Sequence, residues 1–161
     1  MGRKPAIRGE AEERKFYAIT QQLLADMPGA ESYDPPPFEL WRQRALESPR
    51  FLPELNMLAI EGEEYVGMSN FWGSQVPGQI GTGLTGVLAS HRRRGIATAL
   101  KIRALSAARA AGFRSTITWN AAENAGMLGI NERLGFQPGP AWIEMESSLD
   151  AEVEREEARG A

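Results

Sequence analysis

The stretch that decides the fold spans residues 84–111 and reads LTGVLASHRRRGIATALKIRALSAARAA. It begins with a short aliphatic and β-branched run, Leu84–Leu88, which is typical of a strand covered on both faces. From Ile96 onward the residues are almost all strong helix formers, until Gly112 ends the run. A turn rich in arginine, His91–Gly95, joins the two elements. The pattern predicts a buried strand, a tight basic turn and a long helix.

The basic turn predicts a binding site for an anion. The first N–H groups of a helix have no intrahelical partner and lie at the positive end of the helix dipole. Gly95 lets the main chain approach a ligand without a Cβ atom, Ala97 keeps the next turn small, and Thr98 adds a hydroxyl donor. The arginines of Arg92–Arg94 add full charges, so a pyrophosphate group is the expected ligand. A solvated basic turn before an ordinary helix remains the alternative.

Length and composition limit the class of protein. A chain of 161 residues with 42% hydrophobic and 24% charged residues is typical of one soluble globular domain. The absence of cysteine excludes disulfides, a thiolate metal site and a cysteine nucleophile, and the single His91 cannot form a multi-histidine metal centre. No apolar run has the length of a membrane span, so we expect no membrane partner and a cytoplasmic location.

The charge is unevenly distributed along the chain. The formal net charge of −3 belongs to residues 150–161, and the rest of the chain is balanced. A general nucleic-acid binder would show a basic excess, so nucleic acid is not expected as a partner. We expect three regions: a disordered lead over residues 1–9, a folded domain over 10–148, and an acidic C-terminal tail over 149–161. A protein-interaction role for the tail is a weaker alternative to a solvated face.

Hydrophobic periodicity and turn residues predict an α+β fold with a mostly antiparallel central sheet flanked by helices. The expected order is α-α-β-β-β-α-β-α-β-β. The predicted elements are helices over residues 10–27, 38–47, 95–111 and 123–133, and strands over 55–61, 65–72, 79–89, 114–119, 136–138 and 141–148.

A second informative stretch, Thr118–Phe136, reads TWNAAENAGMLGINERLGF. Its asparagines lie among alanines and glycines, which allow close packing against an extended ligand. Asn124 lies near a helix start, where its amide can bridge donor and acceptor groups of a ligand. A plain helix cap is an equal alternative for Asn120 or Asn124.

Taken together, the two stretches resemble the GNAT superfamily of acyl-CoA-dependent N-acyltransferases. Arg92-x-x-Gly95-x-Ala97 is similar to that family's pyrophosphate loop, and Asn124 followed by Leu134-Gly135-Phe136 is similar to its second motif. The combination looks most like a branch often found as tandem domains, which includes mycothiol-synthase-like proteins. This chain has one such unit.

The resemblance implies acetyl-CoA as co-substrate and a role for each matched residue. Thr85 and Val87 would offer strand backbone groups to the pantetheine arm, and Asn124 would bind the cofactor chain between two splayed strands. The pyrophosphate would be held by the loop and the first helical turn: Arg92, Arg93, Arg94, Gly95, Ile96, Ala97 and Thr98.

The sequence departs from the family at the catalytic positions. Many GNAT enzymes carry a tyrosine seven residues after the motif asparagine, as general acid toward the leaving thiolate, whereas this chain has Asn131. An amide can donate a hydrogen bond to a developing thiolate but cannot give up a proton at neutral pH. The strand before the loop has no acidic residue, so Glu61, Glu64 and Glu144 remain the candidate bases.

The function implied by the resemblance is direct transfer of acetyl from acetyl-CoA to a primary amine of a small molecule or a peptide. The alternative is a non-catalytic acyl-CoA-binding sensor or partner domain, which Asn131 and the acid-free strand would favour. Dimerisation through the last strands is a further open alternative.

Overall fold

The computed structural model describes Ile7 and residues 9–140. Within that part of the chain the elements follow the expected order. The helices are α1 (Glu10–Ala25), α2 (Phe38–Ala45), α3 (Ile96–Ala110) and α4 (Ala125–Arg133), and the strands are β1 (Met57–Glu61), β2 (Glu64–Gly73), β3 (Gln79–Val87) and β4 (Ser115–Ile117). The α+β class is confirmed. The strand predicted at 136–138 is not formed, and the one predicted at 141–148 lies outside the described residues.

The sheet has the order β1-β2-β3-β4, with the first three strands forming an antiparallel meander. Strand β4 runs parallel to β3, because α3 carries the chain back across the sheet between them. The central sheet is therefore mostly antiparallel, as the sequence predicts.

Helices cover both faces of the sheet. One face packs against α1 and α2, and the other against α3. Strand β2 lies between these layers and is buried from Tyr65 to Phe71. The two resulting hydrophobic clusters contain Phe16, Ile19, Leu23, Trp41, Leu58, Tyr65 and Met68 on the first face, and Leu55, Phe71, Ile80, Ala104 and Ala108 on the second.

A bulge interrupts the pairing of β2 with β3. Ser69 pairs with Thr85 and Phe71 pairs with Thr82, so β3 has one residue more than β2 in the interval. The intervening β2 residue, Asn70, accepts a hydrogen bond from the Leu84 N–H through Oδ1 at 2.8 Å. A bulge bends its strand and increases the local twist. The part of β3 after the bulge therefore runs in a different direction from the part before it.

Strands β3 and β4 separate after a short pairing. Their ladder extends only from Gln79–Gly81 to Ser115–Ile117, which makes β4 shorter than the predicted 114–119. Just beyond the ladder, the hydroxyl groups of Thr82 and Thr116 lie 3.2 Å apart. Within the described residues, the edge of β3 that faces away from β2 has no strand partner after Gly81. The sheet therefore forks at this point.

Candidate active site

A cavity of about 610 Å³ occupies the fork between β3 and β4. Its walls are the last turn of α1, the free edge of β3, the start of α3, the segment 118–120 and the first half of α4. Most of the predicted site residues line it: Thr85, Val87, Arg92, Arg93, Gly95, Ile96, Ala97, Thr98 and Asn124. Arg94 and Asn131 do not, and the wall that α1 supplies was not predicted residue by residue.

The loop before α3 presents backbone N–H groups to the cavity. Arg93 and Gly95 both have left-handed backbone conformations, with φ of 60° and 77°. Left-handed residues within a turn allow neighbouring N–H groups to point toward one concave side, which favours anions. No side chain caps α3, and a Cβ atom added at Gly95 would meet nothing within 4 Å. The first turn of a 15-residue helix is thus open to a ligand.

The three arginines of the loop have different environments. Arg92 donates through Nε to the Val87 carbonyl at 3.0 Å and pairs with Asp26 at 2.5 Å. Arg94 pairs with Glu61 at 3.5 Å, away from the cavity wall. Within the described part of the chain, Arg93 enters no hydrogen bond or ion pair. Two arginines therefore brace the loop, and Arg93 is the one available to an anion in the cavity.

None of the described candidate bases faces the cavity. His91 donates through Nε2 to the Glu61 carboxylate at 2.9 Å, and that contact, with Arg94, holds the pKa of the Glu61 carboxyl below its usual value. Glu64 is exposed at the start of β2, and Glu144 lies outside the described residues. Asp26 is the one carboxylate on the cavity wall among the described residues, and it is already paired.

The start of α4 shows one of the two roles considered for Asn124. Its Oδ1 accepts a hydrogen bond from the Met127 N–H at 3.2 Å, so Asn124 is the N-cap of the helix. The same residue lines the cavity. The cap positions its amide at the mouth of the fork.

The Leu134-Gly135-Phe136 segment forms a Schellman motif at the end of α4. The Phe136 N–H donates to the Asn131 carbonyl at 3.1 Å, the Gly135 N–H donates to the Glu132 carbonyl at 3.0 Å, and Gly135 has φ of 85°. This cap places the Phe136 ring centroid 4.8 Å from the Lys101 ammonium. The Schellman motif thereby holds an aromatic ring against Lys101 of α3.

Lys101 is a cavity residue that the sequence reasoning missed. It lines the cavity wall and is 1% exposed. Its Nζ donates to Asn131 Oδ1, and Asn131 Nδ2 donates to Asn120 Oδ1 at 2.7 Å. Burial lowers the pKa of Lys101 to about 8. A signal was present, because Lys101 lies three residues before Ala104 on the apolar stripe of α3.

The described residues contain no group of three or more His, Asp or Glu side chains arranged to hold a metal ion. None of their helices has the length and apolarity needed to cross a bilayer.

Comparison with known proteins gives both a family and structural relatives. A sequence profile described as the acetyltransferase (GNAT) family matches residues 16–136. No protein with a curated description matches the chain.

Three solved structures illustrate the similarity. AAC(6')-Iy in complex with a bisubstrate analogue of CoA is 16% identical, with a TM-score of 0.63 over 87% of this chain and 94% of its own. An aminoglycoside acetyltransferase from an uncultured soil metagenomic sample is 26% identical, with a TM-score of 0.60 over 81% and 91%. The ribosomal-protein-S18-alanine N-acetyltransferase of Escherichia coli is 16% identical, with a TM-score of 0.62 over 83% and 76%.

The family profile spans most of the chain and includes the basic loop, the Asn124 cap and the Schellman motif of α4. The fold, the fork and the profile agree, and the chain belongs to the acetyltransferase (GNAT) family of acyltransferase enzymes.

Proposed function

We propose that this chain transfers an acetyl group directly from acetyl-CoA to a primary amine of a small molecule or a peptide. The observation that carries the proposal is one continuous cavity that joins an anion site at the start of α3 to a fork between two strands. An elongated ligand with a diphosphate at one end and an acyl thioester at the other fits such a cavity.

The diphosphate would lie against the first turn of α3 and the Arg93 guanidinium. From there the pantetheine arm would extend along the edge of β3 that β4 leaves unpaired, over Thr85 and Val87, where backbone groups could pair with its amides. The Val87 carbonyl already accepts from Arg92, which leaves the Val87 N–H for this pairing. Asn124 would contact the arm from the opposite wall. The thioester would then lie where the strands converge, near Thr82.

The reaction would depend chiefly on positioning. The acceptor nitrogen attacks the thioester carbon, and the developing oxyanion accepts a hydrogen bond from a backbone N–H of β3 beside the thioester. Placement of two reactants supplies about 7–11 kcal/mol of the barrier in favourable cases. Because the described cavity offers no free carboxylate, the acceptor is expected to lose its proton to water.

An amine acceptor is supported by the structural relatives. The metagenomic aminoglycoside acetyltransferase is 26% identical to this chain, and the ribosomal-protein enzyme acts on a protein alanine. Small-molecule amines and peptide N-termini are therefore the acceptor classes to compare first.

The proposal is tested by calorimetric titration with acetyl-CoA, using Gly95→Glu and its matched control Gly78→Glu. Both glycines have similar φ, 77° and 75°, and a Cβ atom at either meets nothing within 4 Å, so the backbone strain is the same. Only Gly95→Glu places a carboxylate at the anion site. We expect wild type and Gly78→Glu to bind acetyl-CoA and Gly95→Glu to lose binding. Equal affinities for the two variants would refute the assigned diphosphate position.

Turnover is then measured as thiol release from acetyl-CoA with a panel of amines that includes an aminoglycoside and a peptide with a free N-terminus. The chain contains no cysteine, so every thiol detected is released CoA. Release with one acceptor class identifies the substrate class. Binding without release across the panel would favour the sensor alternative.

A further inference from the structure

The ammonium group of Lys101 is buried, where a charged group lowers the stability of the fold. Its side chain is 1% exposed, and no carboxylate pairs with it among the described residues. Burial of an ammonium without a counter-ion is strongly unfavourable, and replacement by an apolar residue of similar size is usually neutral or stabilising. A buried lysine in a cavity wall is therefore a candidate functional group.

Lys101 lies deeper in the cavity than the anion site. It follows Gly95 by six residues, which corresponds to a rise of about 9 Å along α3. Asn120, on the segment that follows β4, reaches the same region through Asn131 and also lines the cavity. A ligand chain that starts at the diphosphate loop and follows β3 toward Thr82 therefore approaches Lys101 near its end.

The groups around Lys101 use only part of the hydrogen-bonding capacity of its ammonium. One N–H is directed to Asn131 Oδ1, and the Phe136 ring lies on another side at 4.8 Å. An ammonium has three N–H donors, so this arrangement orients Nζ without using all of them. Asn131 is itself fixed by its bond to Asn120.

The charged groups facing Lys101 in the described residues are few. Strands β3 and β4 carry no titratable residue, and on α4 the exposed Glu132 does not line the cavity, whereas Arg133 does. The loop before α3 contributes His91, Arg92 and Arg93. Asp26 is the one carboxylate on the wall, so the arginines Arg92, Arg93 and Arg133 leave the described lining with a positive excess that favours an anion.

We propose, on the basis of the acetyl transfer inferred above, that Lys101 is the proton donor to the CoA sulfur, a role that the amide at position 131 cannot perform. Asn131 is then a positioning residue that holds Nζ. A buried ammonium with a pKa lowered to about 8 is still protonated at neutral pH and gives up its proton more readily than an ordinary lysine.

The proposed transfer forms one C–N bond and breaks one C–S bond. The neutral amine attacks the carbonyl carbon, so that a C–N bond forms and a pair of electrons moves to oxygen. When the intermediate collapses, the C–S bond breaks, and the sulfur keeps the bonding pair and takes a proton from Lys101 Nζ. The new amide gives its extra proton to water, and the neutral lysine regains a proton from water.

The test uses the pKa of CoA bound to the protein, so it needs no acceptor. Thiolate absorbance is followed from pH 6 to 10 with wild type, Lys101→Met and the surface control Lys15→Met, and acetyl-CoA serves as the thiol-free reference. We expect wild type and Lys15→Met to lower the pKa of the bound thiol by about one unit from its value in free CoA, measured in the same buffers. Lys101→Met is expected to leave it at or above that value.

Lys101→Gln separates charge from hydrogen bonding, because its amide can still donate to Asn131. We expect it to behave like Lys101→Met, whereas a thiol pKa as low as in wild type would overturn the role of the ammonium. Equal thiol pKa values in wild type and Lys101→Met would also overturn it and would leave the acetyl transfer standing. Failure of wild type to bind CoA or acetyl-CoA would overturn both proposals.

Discussion

Replacement of Lys101 by methionine is expected to stabilise the folded chain at pH 7. The pKa of Lys101 falls from 10.5 in the unfolded chain to about 8 in the fold, because burial disfavours the charged form. At about 1.4 kcal/mol per pKa unit, this costs the fold about 3.4 kcal/mol below pH 8. The variant loses the bond to Asn131, about 1 kcal/mol, and the contact with Phe136, about 0.5–1 kcal/mol. The expected net gain in unfolding free energy is about 1.5–2 kcal/mol.

The pH dependence follows from the sign of this shift. Between pH 8 and 10.5 the unfolded chain holds a proton on Lys101 that the folded chain has released. Stability of the wild type therefore rises across this window, while the variant lacks that contribution. The advantage of Lys101→Met is expected to shrink from pH 7 to pH 10 and to disappear or reverse at the upper end.

Urea unfolding of both proteins at pH 7 and pH 10 measures the two differences directly. Tyrosine ionisation occurs in both proteins and cancels in the comparison. A variant that is less stable than wild type at pH 7, or a stability difference that is the same at both pH values, would refute the reasoning. Either result would mean that the ammonium is compensated in the fold.

Two further predictions concern the bulge and the cavity wall. Gly83→Ala is expected to lower the unfolding free energy by about 2 kcal/mol, because the new methyl group overlaps Asn70 Oδ1 and a neighbouring indole. A Cβ atom added at Gly81 would have its nearest neighbours 3.8 Å away, so Gly81→Ala is the matched control without overlap. Both variants are compared by urea unfolding, and an equal loss of unfolding free energy in the two would contradict the prediction. Asp26→Asn is expected to tighten acetyl-CoA binding by roughly two- to fivefold at low salt, because it removes a negative charge beside Arg92. Calorimetry at low and high salt checks this, and an unchanged or weaker affinity would count against it.

Much of the fold could be predicted because local signals agreed with one another. The helix after Gly95 and the strands of the meander were expected within a few residues of their observed bounds. Their limits were set by glycine and proline turns and by changes in hydrophobic period. Strand β4 is shorter than predicted because its pairing with β3 ends at Ile117.

The cavity was less predictable because it depends on contacts between distant segments. The anion loop was expected at its observed place, yet nothing local distinguishes Arg93 from its two paired neighbours, whose partners are Asp26 and Glu61. The bulge of β3 opposite Asn70 depends on how two strands pair, and neither strand's sequence shows it alone. Lys101 was counted as a helix former, although its place on the apolar stripe indicated burial.

The unpaired edge of β3 would couple ligand binding to the folding equilibrium. A co-substrate that paired with this edge would complete the sheet, so its binding would favour the folded chain over the unfolded one. If the cavity takes acetyl-CoA as proposed, a concentration of 100 times the dissociation constant adds about 2.7 kcal/mol to stability. An increment of this size changes the fraction of chains exposed to cellular proteases. The amount of this enzyme in a cell would then rise with the supply of its acyl donor.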